Sequence, residues 1–203
     1  MSDPQDAKAP RVLGKGQFGL VYLATDNTAS NSLVALKVQQ RPSEDETNTA
    51  LREAMEISKL SHPNIVRISD VFVITQPDFR MVAALEYCEH GELGSYLSKL
   101  RNGNTTSPLD SMQRRFLREM ASALDYLKSR GVIHRDIKCA NIFVAQSQQT
   151  PTLKLGDFGL SKTYAIGQSS RGHSLVGTPF YLAPEVAEGS YTSSIDMFSM
   201  GTS

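Results

Sequence analysis

The spacing of apolar and polar residues divides the chain into two stretches of different character. Between Arg11 and Gln39, β-branched and aromatic residues gather in the runs GLVYLATD and LVALKVQ, with the turn-forming NTASNS between them; this predicts strands. After QRPSEDE the period becomes helical. Ala50, Ala54, Ile57 and Leu60 share a face, and Thr47, Asn48 and Thr49 are the candidate N-caps. SHPNIV ends that helix, because His62 precedes Pro63. VRISDVFVIT and FRMVAALEY then predict two strands joined at QPD. Past EYCEHGEL the helical period returns. Asp110 with Gln113 reads as a capping signal, and Phe116, Leu117, Met120, Ala123, Leu124 and Leu127 form one face that Gly131 terminates. Two short strands, NIFVA and LKLGDF, and a long polar Ser/Gly-rich stretch follow. At the end of the chain, Ile195, Met197, Phe198 and Met200 form the apolar face of another helix. The pattern is α+β: a β-rich part with one helix, then a helical part, joined near Glu86–Cys88.

Composition narrows the function classes. The chain has 203 residues, of which 40% are apolar, so it can bury a sizeable core. Its 21 basic residues balance 21 acidic ones, which argues against a nucleic-acid or anionic-membrane binder. Two cysteines, Cys88 and Cys139, without a CxxC spacing argue against a zinc site or a disulfide framework and fit a reducing cytoplasmic or nuclear setting. No apolar run is long enough to span a bilayer, and residues 1–10 read as a disordered lead-in that is neither signal nor transit peptide.

Four stretches carry candidate chemistry. LGKGQFGLVYLA holds Gly14, Gly16 and Gly19 in a GxGxxG spacing. A strand follows, not the helix a dinucleotide fold requires, so the glycines mark the tip of a hairpin; that is either an ordinary Gly-rich turn or a backbone able to lie close over phosphates. Lys37 sits in the middle of the apolar strand VALKV, either snorkelling from an edge or holding an anion. Glu53 shares a helix face with Ile57 and Leu60, so it is expected to point inward. An inward carboxylate needs a partner, and Lys37 is the candidate. HRDIKCAN, from His134 to Asn141, concentrates charge between apolar flanks. GDFG places Asp157 after it, and Asp157 and Asn141 are oxygen ligands of the kind Mg²⁺ takes alongside phosphates.

The ordered set GxGxxGxV, VALK, HRDxKxxN, DFG and APE resembles the eukaryotic protein kinases over nearly the whole chain, from about Leu13 to Gly201. The resemblance implies a bilobal fold over residues 11–203, with an N-lobe at 11–85, a hinge at 86–88 and an incomplete C-lobe at 89–203. It implies ATP and Mg²⁺ as cofactors. ATP would be held by Leu13, Gly14, Lys15, Gly16, Gln17, Phe18 and Gly19, with Gly14, Gly16 and Gly19 over the phosphates, by Val21, Ala35 and Phe143 around adenine, by the backbone of Glu86 and Cys88 at the adenine edge and by Glu92 at the ribose, with Leu85 as gatekeeper. Lys37, oriented by Glu53, would hold the α- and β-phosphates, and Asn141 and Asp157 the metal. Asp136 would accept the substrate hydroxyl proton, assisted by Lys138.

Lys138 together with GTPFYLAPE resembles the Ser/Thr-specific members, so the implied partners are proteins with Ser or Thr acceptors. Leu160 leans towards Ser. Glu92 matches a position that can also bind a basic substrate residue, whereas Ala140 stands where basophilic members carry Glu. Thr178 would contact Asp136 and Lys138, Asp196 would brace the catalytic loop, and Glu185 would pair with an Arg beyond Ser203. Ser174 matches the activating phosphosite, modified by an upstream kinase or by the protein itself, with Arg135 supplying the pairing charge. LGDFGLSK with SLVGTPFYLAPE resembles the NIMA-related kinases first and the autophagy-initiating kinases second. Because the family's central helix is only begun at IDMFSMG, the resemblance implies a C-terminally truncated catalytic domain. The alternative function is an inactive or weakly active fragment that binds ATP or protein. A Rossmann-type oxidoreductase is excluded by the strand after Gly19.

Overall fold

In the computed structural model, residues 11–16, 19–28, 31–102, 109–147, 150–163, 170–171, 177–187 and 190–203 are described. They group into two units. The first takes the chain up to Ser61 together with Arg67–Tyr87; the second takes His62–Val66 and the chain from Cys88 onward.

The first unit is an antiparallel sheet of β1 (Arg11–Gly16), β2 (Gly19–Asp26), β3 (Ser32–Gln40), β4 (Ile68–Ile74) and β5 (Arg80–Glu86), in the order β1-β2-β3-β5-β4. The β-branched runs form strands for the expected reason: they fill a pleated, half-buried surface. The unbroken apolar run of β5 sits between two neighbours, and Met81, Val82, Ala83 and Ala84 are all buried. Gly19 closes the β1–β2 hairpin at φ 130°, where a β-carbon would overlap the Val38 carbonyl oxygen, so only glycine fits.

One helix, α1 (Glu44–Ser58), packs on β4 and β5. It begins a turn earlier than Thr47–Thr49 predict. Ser43 is the N-cap and its Oγ accepts from the Glu46 N–H, while Glu44, Asp45 and Glu46 place negative charge at the positive end of the helix dipole. Ser43 and Glu46 form an S-x-x-E signature that the reading from Thr47 passes over. Thr47 is interior instead, 1% exposed, and its hydroxyl donates to the Ser43 carbonyl. The buried face is Thr47, Ala50 and Ile57; Glu53 is exposed, not inward. At 100° per residue Glu53 stands roughly 70° from the middle of that face, at its margin.

The second unit contains α2 (Leu93–Asn102), α3 (Leu109–Ser129), the hairpin β7 (Ile142–Ser147) and β8 (Thr150–Leu155), α4 (Ser194–Gly201), and the short pairs β6 (Val132–Ile133) with β9 (Lys162–Thr163) and β10 (Ser170–Arg171) with β11 (Ser190–Tyr191). Phe116, Met120, Ala123, Leu124 and Leu127 of α3 are buried as the periodicity predicts; Leu117 is 57% exposed, at the edge of the stripe. SHPNIV does more than end α1. Val66 N–H donates to the Leu155 carbonyl, Leu155 N–H to the Asn64 carbonyl, and Asn64 Nδ2 to the Leu153 carbonyl, each at 2.9 Å. His62 stacks on Tyr126 of α3 at 5.1 Å. The segment therefore behaves as a short strand alongside β8.

The last helix inverts the expected pattern. Ile195 is buried in a cluster with Ile133, Ala183 and Val186, but the other buried residues of α4 are Asp196 and Ser199, while Met197 and Phe198 are exposed. Hydrogen bonding decides this orientation: Ser199 Oγ donates to the Tyr181 carbonyl at 2.6 Å, and Asp196 serves the loop described below.

Replacing Ser43 by Ala should lower the stability of the chain by about 1 kcal/mol. Asn48→Ala, at an exposed position inside α1, should change it by less than about 0.5 kcal/mol. Urea unfolding midpoints of the two variants discriminate the observed helix start from the later one.

Candidate active site

In the first unit the ladder lines up the nucleotide candidates. Val21 pairs with Lys37 and Lys37 with Ala83; two residues along, Leu23 pairs with Ala35 and Ala35 with Leu85. Directly opposed residues and i, i+2 neighbours share a face, so Val21, Ala35, Lys37 and Leu85 lie on one face of the sheet. Lys37 is half-buried in this central position. The register of β1 shifts between Val12 and Gly14, leaving Leu13 as the half-buried residue of an otherwise exposed strand. Open space surrounds the Cα positions of Gly14 and Gly16. Lys15 is exposed, and Gln17 and Phe18 lie outside the described residues. Glu86 N–H donates to the Arg67 carbonyl at 2.8 Å, and its Oε2 accepts from the Arg67 N–H at 3.2 Å.

In the second unit the residues of HRDIKCAN converge on one carboxylate. Asp136 is 7% exposed. Its Oδ1 accepts from Thr178 Oγ1 at 2.7 Å, and its Oδ2 accepts from Asn141 Nδ2 at 2.8 Å and pairs with Lys138 Nζ at 2.9 Å. Lys138 Nζ also donates to Thr178 Oγ1 at 2.8 Å, closing a ring of three residues. Burial pushes Asp136 upward, but the hydrogen bonds from Lys138, Thr178 and Asn141 and the Lys138 charge outweigh it and hold the group below its ordinary 3.8. The result is a carboxylate kept ionised and aimed.

A second carboxylate shapes the loop that carries the first. Asp196 on α4, 2% exposed, accepts the backbone N–H of His134 at 2.8 Å and of Arg135 at 2.9 Å. Arg135 has φ 67°, the left-handed region that costs a β-carbon-bearing residue energy, and the two hydrogen bonds hold it there. Burial is the largest influence on Asp196 and raises it above 3.8, against the opposing pull of His134 and Arg135. Gly177, at φ 131°, runs so close that a β-carbon would meet the Arg135 carbonyl oxygen at 2.8 Å.

The sequence pattern assigns His134 no role of its own, yet it is fully buried and central. Its Nε2 donates to the Gly156 carbonyl at 2.9 Å, leaving Nδ1 to accept the Asp136 N–H at 3.4 Å. Gly156 N–H donates to the Asn141 carbonyl at 2.9 Å. Gly156, the neighbour of Asp157, is thus pinned through both of its backbone polar groups. The Phe158 ring lies 4.8 Å from the His134 ring and secures the other side. Asp157 itself is left-handed, at φ 57°, and its Oδ1 accepts from the Gly159 N–H. A histidine set between apolar Ile133 and the charged Arg135 was the available signal.

Asn141 Nδ2 makes both bonds to Asp136, to its carbonyl at 2.7 Å and to its carboxylate, which turns the amide oxygen the other way. One amide oxygen and the Asp157 carboxylate suit Mg²⁺, which keeps most of its shell as water and phosphate oxygen. Among the described residues, no group of three or more His, Cys, Asp or Glu is placed to hold a metal. Phe143 is half-buried, makes a backbone bridge to Glu92, and its ring leaves no room for a β-carbon at Gly156. Cys88 is buried and its carbonyl accepts the Gly91 N–H. Glu185 accepts from Ser194 Oγ at 3.4 Å. Ser174 lies outside the described residues.

A family model described as Protein kinase domain matches residues 8–203. Among curated relatives, the chain is 36% identical over 194 residues to "Probable serine/threonine-protein kinase nek2" of Dictyostelium discoideum, covering 93% of this chain and 45% of that protein. It is 34% identical to "Serine/threonine-protein kinase Nek8" of Danio rerio over 94% of this chain and 26% of that protein. It is 29% identical to "Serine/threonine-protein kinase ATG1a" of Arabidopsis thaliana over 96% of this chain and 30% of that protein. The chain therefore spans less than half the length of these relatives.

Asp196→Ala removes the acceptor for two N–H groups and should destabilise the chain by about 2–4 kcal/mol, read from chemical denaturation. The raised Asp196 group keeps its proton longer when folded than when unfolded. Its contribution to stability therefore declines as pH rises from 3.8 through the folded value. The lowered Asp136 group acts oppositely, stabilising above 3.8 and losing this as pH falls through its folded value. Unfolding midpoints measured against pH should show the first slope removed in Asp196→Asn and retained in wild type.

Proposed function

This chain belongs to the protein kinase domain family, and from that premise we propose that it transfers the γ-phosphoryl group of ATP to Ser or Thr hydroxyls of protein substrates. The observation that carries this reading is the ring of Asp136, Lys138 and Thr178, with Asn141 on the second Asp136 oxygen. Phosphoryl transfer asks for positioning and charge neutralisation more than for covalent chemistry, and this cluster supplies both. Asp136 receives and orients the acceptor hydroxyl. Lys138 places its positive charge where negative charge accumulates on the transferred group. The glycines at 14 and 16 leave backbone open to phosphate oxygens, and Lys37 pairs with the phosphates. Asn141 and Asp157 would hold Mg²⁺, which would neutralise phosphate charge. A NIMA-related character is supported by the nek2 and Nek8 similarity.

Activity is regulated, in this reading, by phosphorylation of Ser174. Arg135, next to Asp136 in the chain and donating to the Ser161 carbonyl at 3.4 Å, supplies a positive charge for the phosphate. Ser174→Ala is expected to reduce activity; a Ser174→Ala protein as active as wild type overturns this part.

Incubation of the chain with γ-labelled ATP, Mg²⁺ and a Ser-containing protein should label that protein. Asp136→Asn and Lys37→Met should each lower kcat on the order of 10²–10⁴-fold. Undiminished transfer by Asp136→Asn would refute the assignment.

A further inference from the structure

His62 lies just past α1, and no residue of SHPNIV takes part in the chemistry proposed above. Its ring is nonetheless held on several sides. Nδ1 faces the Asn64 N–H at 3.1 Å, so it is the unprotonated nitrogen and accepts; Nε2 then donates to Ser122 Oγ at 3.1 Å. The ring stacks on Tyr126. A second proton would set an N–H against the Asn64 N–H. The neighbours oppose that proton too. On α3 the ring meets Ser122 and Tyr126, with the Arg130 guanidinium 5.2 Å from the Tyr126 ring, while Asp125 of the same helix is exposed to water. On β8 it faces the charge of Lys154, whose Nζ donates to the Pro63 carbonyl at 2.9 Å. Burial first, and the Lys154 charge second, hold His62 below its ordinary 6.5.

The Asn64 N–H that His62 fixes belongs to a segment that grips the strand leading to Asp157. Ile65 bridges Leu155 in parallel. The Asn64 carbonyl accepts the Leu155 N–H, and the Val66 N–H donates to the Leu155 carbonyl. Residues 62–66 thus satisfy both backbone polar groups of Leu155, which is 1% exposed and stands two residues before Asp157. Val66 also closes over Gly156, where a β-carbon would meet Val66 Cγ2 at 2.9 Å. The path from His62 to Asp157 lies wholly within the second unit.

We propose that His62 is a positioning residue for the Asp157 carboxylate: while neutral it holds residues 62–66 against β8 and so fixes Asp157, and its protonation releases both. This rests on the phosphoryl-transfer reading above, in which Asp157 serves Mg²⁺, and adds a dependence on pH to it. A histidine lowered by folding contributes its full stability above 6.5 and loses it as pH falls through the folded value. The segment therefore loosens in acid, starting well above the 3.8 at which the Asp136 effect begins.

The test follows the full chain from about pH 7.5 down to about pH 5, a range that spans the ordinary imidazole value. One readout is amide hydrogen exchange at Leu155, corrected for the intrinsic effect of pH. The other is the Mg²⁺ concentration that gives half-maximal phosphoryl transfer to a Ser-containing protein. In wild type both should rise on the order of tenfold towards the acid end, as the loss of one backbone hydrogen bond implies. His62→Asn offers the Asn64 N–H an uncharged oxygen, because an Asn side chain accepts from the backbone two residues on, and should flatten both profiles. His62→Phe keeps the stacked ring without the acceptor and should show raised values at every pH. Equal profiles for wild type and His62→Asn overturn the proposal, as does a His62→Phe protein that matches neutral wild type. Exchange that rises in acid with an unchanged Mg²⁺ requirement also overturns it, because the segment then loosens without moving Asp157. Failure of wild type to transfer phosphate at neutral pH overturns the phosphoryl-transfer reading and the metal role of Asp157 with it. Acid-accelerated exchange at Leu155 then places the failure in that reading and not in the hold of His62 on the segment.

Discussion

Everything in the Asp136 cluster depends on one buried carboxylate that takes no part in it. Asp196 accepts two consecutive backbone N–H groups, and this lets Arg135 stay in a left-handed conformation next to Asp136. Without those bonds the loop would relax towards the commoner regions of backbone space, and Asp136 would turn with it. The arrangement also explains why α4 buries polar residues and exposes Met197 and Phe198. Unpaired buried N–H groups cost more than exposed apolar area at two positions, so hydrogen bonding sets the rotation of this helix.

The second fixed point is Gly156. Its carbonyl is held by His134 and its N–H by the Asn141 carbonyl, so Asp157 cannot shift independently of the residues that surround Asp136. The Phe158 ring, tilted against the His134 ring, adds a third constraint. Rigid placement of this kind is what positional catalysis needs, because small misplacements of a reacting group are costly in rate.

Much of this was legible in the sequence. Strands β2 and β3 and the α3 face followed from residue periodicity, VALK marked the sheet face that carries Ala35 and Lys37, and HRDxKxxN identified the residues that the structure gathers around Asp136 in the second unit. Three features were not legible. The start of α1 was obscured because Thr47 looks like a cap and is in fact an interior residue bonded to the true cap, Ser43. The orientation of Glu53 was misjudged because a residue at the margin of a helix face satisfies the same spacing as one at its centre. The role of His134 depended on contacts with Gly156 and Phe158, more than twenty residues away, which no local pattern encodes.

The alignment of residues 62–66 with β8 bears on how this chain is made. Asn64 hydrogen-bonds Leu153, 89 residues later. During synthesis at about 5–20 residues per second, that segment waits roughly 5–20 s for its partner to emerge. Over that interval the strands on either side of it can pair while it remains open. Neither unit is a continuous stretch of polypeptide, so neither can be cut out at a single boundary. A break after Tyr87, where composition suggests the natural seam, would sever the second unit from one of its own strands.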